Sequence, residues 1–117
     1  YPHHLNDNSN CKLDNFCEMV ARTAEIMDVK NLGIGSDLCL NQPDEIVEWM
    51  RNGTWAKKKV YGEGTATNEG FPNQPIWFKD ARGFKNIEDG LKKIGFNSDE
   101  INGILGNNWY NFYKGIN

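Results

Sequence analysis

The sequence has few cysteines and histidines, no long basic run and no long apolar run. Its three cysteines, Cys11, Cys17 and Cys39, are odd in number and lack C-x-x-C spacing. This argues against a disulfide framework and against a cysteine-type zinc site, and a reducing compartment such as the cytoplasm fits best. No stretch approaches the roughly 18 apolar residues of a membrane span, nor is a signal peptide or hydrophobic tail visible. We therefore expect no membrane segment in this chain.

The charge of the chain argues against nucleic acid as a partner. The 117 residues carry a net charge of −3, and the basic cluster Lys57–Lys59 is typical of a solvated loop. The composition, 38% hydrophobic and 25% charged, is that of an ordinary globular domain. Four Trp, six Phe and four Tyr nevertheless supply much apolar surface for so short a chain. We expect this surface to form a compact core or to contact structure outside this chain.

The first half of the chain has a helix followed by an apparent strand. One apolar face repeats at helical spacing from residue 12 onward and comprises Leu13, Phe16, Val20, Ala24 and Met27. The run Val29–Ser36 is short, apolar and punctuated by glycines, which predicts a buried strand. A helix that leads into such a strand is half of a β-α-β unit.

A second helix and a long irregular stretch follow. The helix is predicted to open at Asn41–Glu45, where Pro43 suits a first turn, and to end at Gly53. Its apolar side consists of Ile46, Val47, Trp49 and Met50. Residues 54–83 show no sustained period, and we expect a functional loop or lid there. The aromatic residues expected to be exposed in it are Trp55, Tyr61, Phe71, Trp77 and Phe78.

The last part of the chain reads as two helices. A stripe of Ile87, Leu91 and Ile94 stops at Gly95. Asn97 and Glu100 then have the spacing of a capping box. Within the final apolar run, the adjacent Asn107 and Asn108 follow Gly106; local hydrogen bonding at a bend is the role expected of them, and contact with the site is the alternative.

Asp37 is the sharpest candidate for chemistry. It follows the predicted strand directly, at the strand end where the loops of α/β barrels converge on ligands. A carboxylate there can bind a cation or move a proton. The alternative is that Asp37 only caps or hydrogen-bonds the next loop.

The two histidines, His3 and His4, are adjacent and precede the first helix. A neutral imidazole can bind zinc or carry a proton, but neighbours on an extended chain point in opposite directions, so at most one would face a site. Surface-loop histidines are the alternative. A two-metal centre needs several histidine and carboxylate ligands. The chemistry of such a centre cannot be complete within this chain.

Three segments in a fixed order resemble the C-terminal portion of the membrane (renal) dipeptidase family. They are N-L-G-I-G-S-D (Asn31–Asp37), N-I-E-D-G-L-K-K-I-G-F (Asn86–Phe96) and I-L-G-N-N-W-Y-N-F-Y (Ile104–Tyr113). The resemblance implies an α/β fold, the C-terminal part of a (β/α)8 TIM-type barrel, with residues 1–117 mostly helical and holding one or two strands. It also implies two zinc ions and the hydrolysis of dipeptides to amino acids by a metal-activated water.

The resemblance assigns roles to two residues of this chain. Tyr1 would end the seventh strand and Val29–Ser36 would form the eighth. Asp37 matches a family aspartate that binds zinc and exchanges a proton with the scissile amide, so it would be both catalytic and a metal ligand. His4 falls near a substrate-facing position and would bind substrate. The other ligands belong to earlier strands, which implies that this chain is one part of a longer enzyme.

Departures from the family pattern leave alternatives open. A second acid often follows the family aspartate, whereas Leu38-Cys39-Leu40 stand here, and the loop at 54–83 is longer than usual. The leading hypothesis is a zinc dipeptidase acting on a dipeptide or a similar small substrate, and a homodimer is compatible with it. One alternative is a related barrel hydrolase of amides or lactones. The other is a non-catalytic helical fragment.

Overall fold

The computed structural model describes residues 5–38, 43–55 and 73–116. The helices in these ranges are α1 (Leu13–Met27), α2 (Asp44–Asn52), α3 (Phe84–Lys93), α4 (Ser98–Asn102) and α5 (Asn108–Lys114). Short 3₁₀ turns occupy Asn8–Asn10, Val29–Asn31 and Ala81–Gly83, and a π-helical turn spans Gly103–Asn107. No helix within the described ranges is both long and apolar enough to cross a membrane.

Helices α1 and α3 cross at close range. A Cβ atom on Gly90 of α3 would lie 2.6 Å from the Sγ atom of Cys17 on α1, so the crossing requires a residue without a side chain. Cys17 itself is fully buried at this point. At the surface, Lys93 Nζ lies 2.9 Å from a carboxylate oxygen of Asp14 and joins the two helices a second time.

The core lies between α1, α3, α4 and the π-helical turn. Its buried members are Cys17, Val20, Phe78, Ile87, Leu91, Ile101 and Ile104. Leu91 and Ile87 are 0% and 2% exposed, respectively. Burying a side chain of this size stabilises the folded state by about 1.5–3 kcal/mol relative to leaving it in water. The predicted apolar stripe of α3 is confirmed for Ile87 and Leu91, whereas its third member, Ile94, follows the helix and is 37% exposed.

The connection between α3 and α4 follows local rules. Gly95 has a φ of 106°, a left-handed conformation that glycine adopts without strain, and it ends α3 as predicted. Asn97 Oδ1 accepts the backbone N–H groups of Asp99 and Glu100, while Glu100 Oε2 accepts the N–H of Asn97. The predicted capping box is therefore confirmed.

Part of the predicted loop at 54–83 is packed against the core. Phe78 is buried, which corrects the expectation that it is exposed. Trp77 is half-buried, and its Nε1–H donates to the carbonyl of Cys11 at 2.6 Å. Asn86 Nδ2 in turn donates to the carbonyl of Trp77 at 2.7 Å. Residues 56–72, and with them most of the predicted lid, lie outside the described residues.

The predicted strand Val29–Ser36 is not a strand in the described residues. Val29–Asn31 form a 3₁₀ turn, because the chain reverses at Asp28, whose φ is 68°. Residues 32–38 then form a segment without a strand partner among the described residues, here termed the extended segment; its backbone is extended at Leu32 and left-handed at Asp37. Along this segment the residues alternate between half-buried and exposed, and the half-buried Leu32, Ile34 and Leu38 pack on the core. The alternation of exposure is that of a strand, but the described residues supply no neighbouring strand and therefore no ladder of hydrogen bonds.

Helix α2 keeps the bounds expected of it but leaves apolar side chains uncovered. It starts at Asp44 after Pro43 and ends before Gly53. Trp49 is 61% exposed, and the ring of Trp55 packs against it at a centroid distance of 4.5 Å. The indole N–H of Trp55 donates to the carbonyl of Met50 at 3.0 Å. The apolar side of α2 thus contacts Trp55 rather than the core.

Candidate functional site

Asp37 stands near the end of the extended segment with its side chain exposed. Its φ of 47° places it in the left-handed region, where Asp is enriched among residues other than glycine. The preceding residues keep a strict alternation of exposure, so Asp37 belongs to the face that points away from the core. A carboxylate presented in this way is available to a cation or to a proton-bearing group.

A small cavity lies beside the end of the extended segment. It is lined by Gly35 and Ser36 from the segment, by Leu5, and by Gln74 and Trp77, among others. Its volume of about 50 Å³ suits one or two water molecules, each of which takes about 30 Å³ in the liquid.

The predicted substrate-binding residue His4 lies outside the described residues, as does His3. Leu5, the residue after His4, lines the same cavity as Ser36, the residue before Asp37. The chain neighbours of the two predicted site residues therefore meet at one place. The pairing of Asp37 with His4 itself stays a prediction.

The extended segment is fixed along its first half by the C-terminal part of the chain. The N–H of Ile34 donates to the carbonyl of Ile104 at 3.3 Å, and the carbonyl of Ile34 accepts the indole N–H of Trp109 at 3.3 Å. The Trp109 ring lies over Gly33, where an added Cβ atom would be 2.3 Å from Nε1. A side chain at this position would overlap the indole ring unless the ring moved, so the close approach of Trp109 favours glycine.

The side chain of Asn108 makes two hydrogen bonds at the start of the extended segment. Its Nδ2 donates to the carbonyl of Val29 at 2.8 Å and to the carbonyl of Leu32 at 2.7 Å. Local hydrogen bonding at a bend was expected, and this is wrong for Asn108, because its partners are 79 and 76 residues away in the sequence. The sequence signal for a role of Asn108 was the pair of polar residues, Asn107 and Asn108, inside an apolar helical run. This signal does not indicate which backbone groups the side chain binds.

A larger groove lies at the other end of the extended segment. It has a volume of about 650 Å³ and is bordered by Lys30–Gly33 and by α5 residues that include Trp109 and Phe112. Its volume would accommodate a small molecule. Asp37 is not among its lining residues, so the larger cavity and the candidate carboxylate do not coincide.

The buried thiols are poor candidates for catalysis. Burial raises the pKa of Cys17 to about 11, and it also raises the pKa of Cys11 above its ordinary value. Both side chains therefore remain thiols at neutral pH, whereas the thiolate is the nucleophile and the metal ligand. Within the described ranges, no group of three or more His, Cys, Asp or Glu residues is arranged to hold a metal ion.

No protein-family model and no curated protein matches this sequence. A solved structure described as an amidohydrolase from Pseudomonas aeruginosa is similar to it, with a TM-score of 0.74 and 20% sequence identity. The similarity covers 92% of this chain but 31% of that protein, so the chain spans about a third of its length. The described residues therefore have an amidohydrolase-like fold, mostly helical, and consistent with part of a barrel.

Proposed function

We propose that this chain is part of a metal-dependent hydrolase that cleaves the amide bond of dipeptides, with Asp37 at its active site. The observation that carries the proposal is the position of Asp37, exposed at the end of an extended segment whose other face packs on the core. In barrel enzymes, catalytic groups lie at the corresponding ends of strands. The similarity of fold to a protein described as an amidohydrolase supports a hydrolase of this general class.

Asp37 can serve this reaction in two ways. A carboxylate oxygen can bind a metal ion, and the same group can hold the proton that passes to the leaving amine. Its left-handed backbone lets the chain turn directly after the segment, and its exposure leaves the carboxylate open to groups supplied from outside the described residues. Metal binding and proton transfer both depend on the carboxylate of Asp37. Neither depends on the side chain of the next residue, Leu38.

The described residues do not complete a zinc site. They contain no cluster of three potential ligands, and Asp37 offers one carboxylate. A zinc centre of the kind implied by the family resemblance therefore needs ligands beyond these residues. We assign no zinc-dependent step to the described part of the chain.

The first experiment uses the longest open reading frame that includes this chain. The purified protein would be assayed for zinc content and for hydrolysis of a panel of dipeptides, amidated amino acids and lactones. We expect bound zinc and a preference for dipeptides. Asp37→Asn should lower kcat/KM by at least a hundredfold, because the amide cannot replace a carboxylate as a ligand or as a proton carrier.

A matched control is available in Asp7, which is also exposed and also has a positive φ, 64°. Asp7→Asn should leave kcat/KM unchanged. Normal turnover and zinc content in Asp37→Asn would rule out the proposed role. Hydrolysis of lactones or amidated amino acids in preference to dipeptides would favour a second candidate, a related amide or lactone hydrolase. The broad description of the similar protein as an amidohydrolase supports that candidate.

A further inference from the structure

The extended segment that carries Asp37 has no strand beside it among the described residues to fix its register. In a sheet, the ladder of hydrogen bonds sets the register, and a slip of one residue moves every side chain to the opposite face. For residues 32–38 such a slip would move Asp37 to the core side and bring a leucine to the outside. Something other than a ladder must therefore hold this segment in place along its length.

The side chain of Asn108, the first residue of α5, binds the backbone at the start of this segment. We propose that Asn108 is a positioning residue for Asp37, because its amide fixes the start of the extended segment in the register that leaves Asp37 exposed. This inference rests on the proposed function of Asp37. The two donor bonds of 2.8 and 2.7 Å reach the carbonyls of Val29 and Leu32, one at the start of the 3₁₀ turn and one directly after it.

An amide is the chemical group that this position requires. Its two N–H groups match two carbonyl oxygens, and neither an isosteric carboxylate nor a branched alkyl group offers an N–H donor. Gly103 leaves room for the side chain, since a Cβ atom there would lie 2.9 Å from Asn108 Oδ1. The carbonyl of Leu32 makes no other hydrogen bond with the described residues. Loss of the amide thus frees the carbonyl of Leu32, while the N–H of Leu32 still donates to the carbonyl of Val29 at 3.1 Å.

The adjacent Trp109 supplies a second point of attachment. Its indole N–H reaches the carbonyl of Ile34, two residues further along, on the same side of the chain as the Ile104 carbonyl that accepts the N–H of Ile34. Asn108 and Trp109 together hold alternate residues, Leu32 and Ile34, whose side chains pack on the core. Alternate residues share a face, so these contacts select one of the two registers.

A purely structural role for Asn108 makes a different prediction from a positioning role. Asn86 is a matched control, because its Nδ2 also donates to a backbone carbonyl, that of Trp77, at 2.7 Å, and it makes no hydrogen bond to residues 32–38 among the described residues. If Asn108 only stabilises the fold, Asn108→Leu and Asn86→Leu should affect turnover in proportion to their effects on Tm. If it positions Asp37, Asn108→Leu should lower turnover well beyond that proportion.

The experiment compares these variants in the longest reading frame that includes the chain, at a temperature where each is folded. For Asn108→Leu we expect kcat to fall at least tenfold with KM changed less than threefold, and hydrogen exchange at the Ile34 amide to accelerate at least tenfold. Asn86→Leu should change neither quantity. Should Asn108→Leu fail to fold, Trp109→Phe takes its place; it keeps an aromatic ring but loses the indole N–H, and a threefold or larger fall in kcat is expected.

The possible results separate this inference from the proposed function. Unchanged kcat in Asn108→Leu, or a loss that Asn86→Leu reproduces at the same Tm, overturns the positioning role while leaving the hydrolase intact. Full activity in Asp37→Asn overturns the proposed function. The register of the extended segment would then have no role in catalysis. In that case the Ile34 amide still decides the register role: unchanged exchange in Asn108→Leu overturns it, and accelerated exchange supports it.

Discussion

The helical core and the extended segment differ in how far the described residues bury their side chains and hydrogen-bond their backbone groups. In the core, Ile87, Leu91 and Ile104 are each at most 2% exposed, and the α-helices satisfy their backbone groups internally. Along residues 32–38 one face packs on the core and the other is exposed, and the backbone hydrogen bonds found among the described residues are at Leu32 and Ile34. The described residues thus cover these core side chains, whereas they leave the carboxylate of Asp37 exposed.

The largest expected effect is in the core. Ile87→Ala should lower the free energy of unfolding by about 3–4 kcal/mol, because it leaves a cavity that the surrounding helices cannot close. Ile26→Ala is the matched control; its side chain is 85% exposed, and we expect a change within about 0.5 kcal/mol. Urea unfolding of both variants measures the difference. Similar losses in the two would mean that the core is not the main source of stability.

Two glycine-to-alanine substitutions test the comparison between the core and the extended segment directly, because the added Cβ atom would overlap a neighbouring side chain at each position. Gly90→Ala would place it 2.6 Å from Cys17 Sγ in the core, and Gly33→Ala 2.3 Å from Trp109 Nε1 beside the extended segment. Cys17 is fully buried, whereas Trp109 is 43% exposed and can move. We expect a net loss of about 2 kcal/mol at Gly90, despite the better helix propensity of alanine, and about 1 kcal/mol at Gly33.

Thermal or urea unfolding of the two glycine variants gives the ranking. Adding Cys17→Ala to Gly90→Ala should recover part of the loss, because it removes the sulfur atom that the new methyl group meets. A larger loss at Gly33 than at Gly90 would reverse the comparison and show that the contact between Trp109 and the segment is the more rigid of the two.

The smallest expected effect concerns pH. Burial raises the pKa of Cys17 from 9.0 to about 11. Between these values the unfolded chain releases the thiol proton while the folded chain keeps it, so the free energy of unfolding should fall as the pH rises above 9, by about 1 kcal/mol between pH 9 and pH 10. Lysines and tyrosines titrate in the same window. The comparison is therefore with Cys17→Ala, in which this part of the slope should be absent; equal slopes would contradict the prediction.

The features that could be predicted from the sequence depend on neighbours within a few residues. The apolar stripes of α1 and α3, the turn at Gly95 and the capping box of Asn97 and Glu100 are set by helical periodicity and by side chains three or four positions apart. The α/β expectation was met only in part. The fold is amidohydrolase-like, but no strand forms in the described ranges, because a strand depends on a neighbour that local pattern cannot supply.

The candidate site was predicted less completely, for the same reason. Asp37 was predicted because it directly follows an apolar run, and the structure places it exposed near the end of the extended segment, while its catalytic and metal-binding roles stay predictions. The two carbonyls that Asn108 binds are more than 70 residues distant, and no spacing rule indicates them. Burial of Phe78 was missed because its partners are on α1 and α3, while the residues around it are irregular.

The π-helical turn at Gly103–Asn107 makes the number of residues before α5 as important as their identity. The turn contains a kink, because the backbone of Gly106 is not helical (φ 177°, ψ −39°), so removing one residue here would shorten the connection across the kink and rotate α5 about its axis. Asn108 and Trp109 would then point away from the carbonyls they now bind, with neither side chain altered. The direction in which α5 presents its side chains thus depends on the number of residues in the turn before it. A single-residue deletion in this turn would detach α5 from the extended segment.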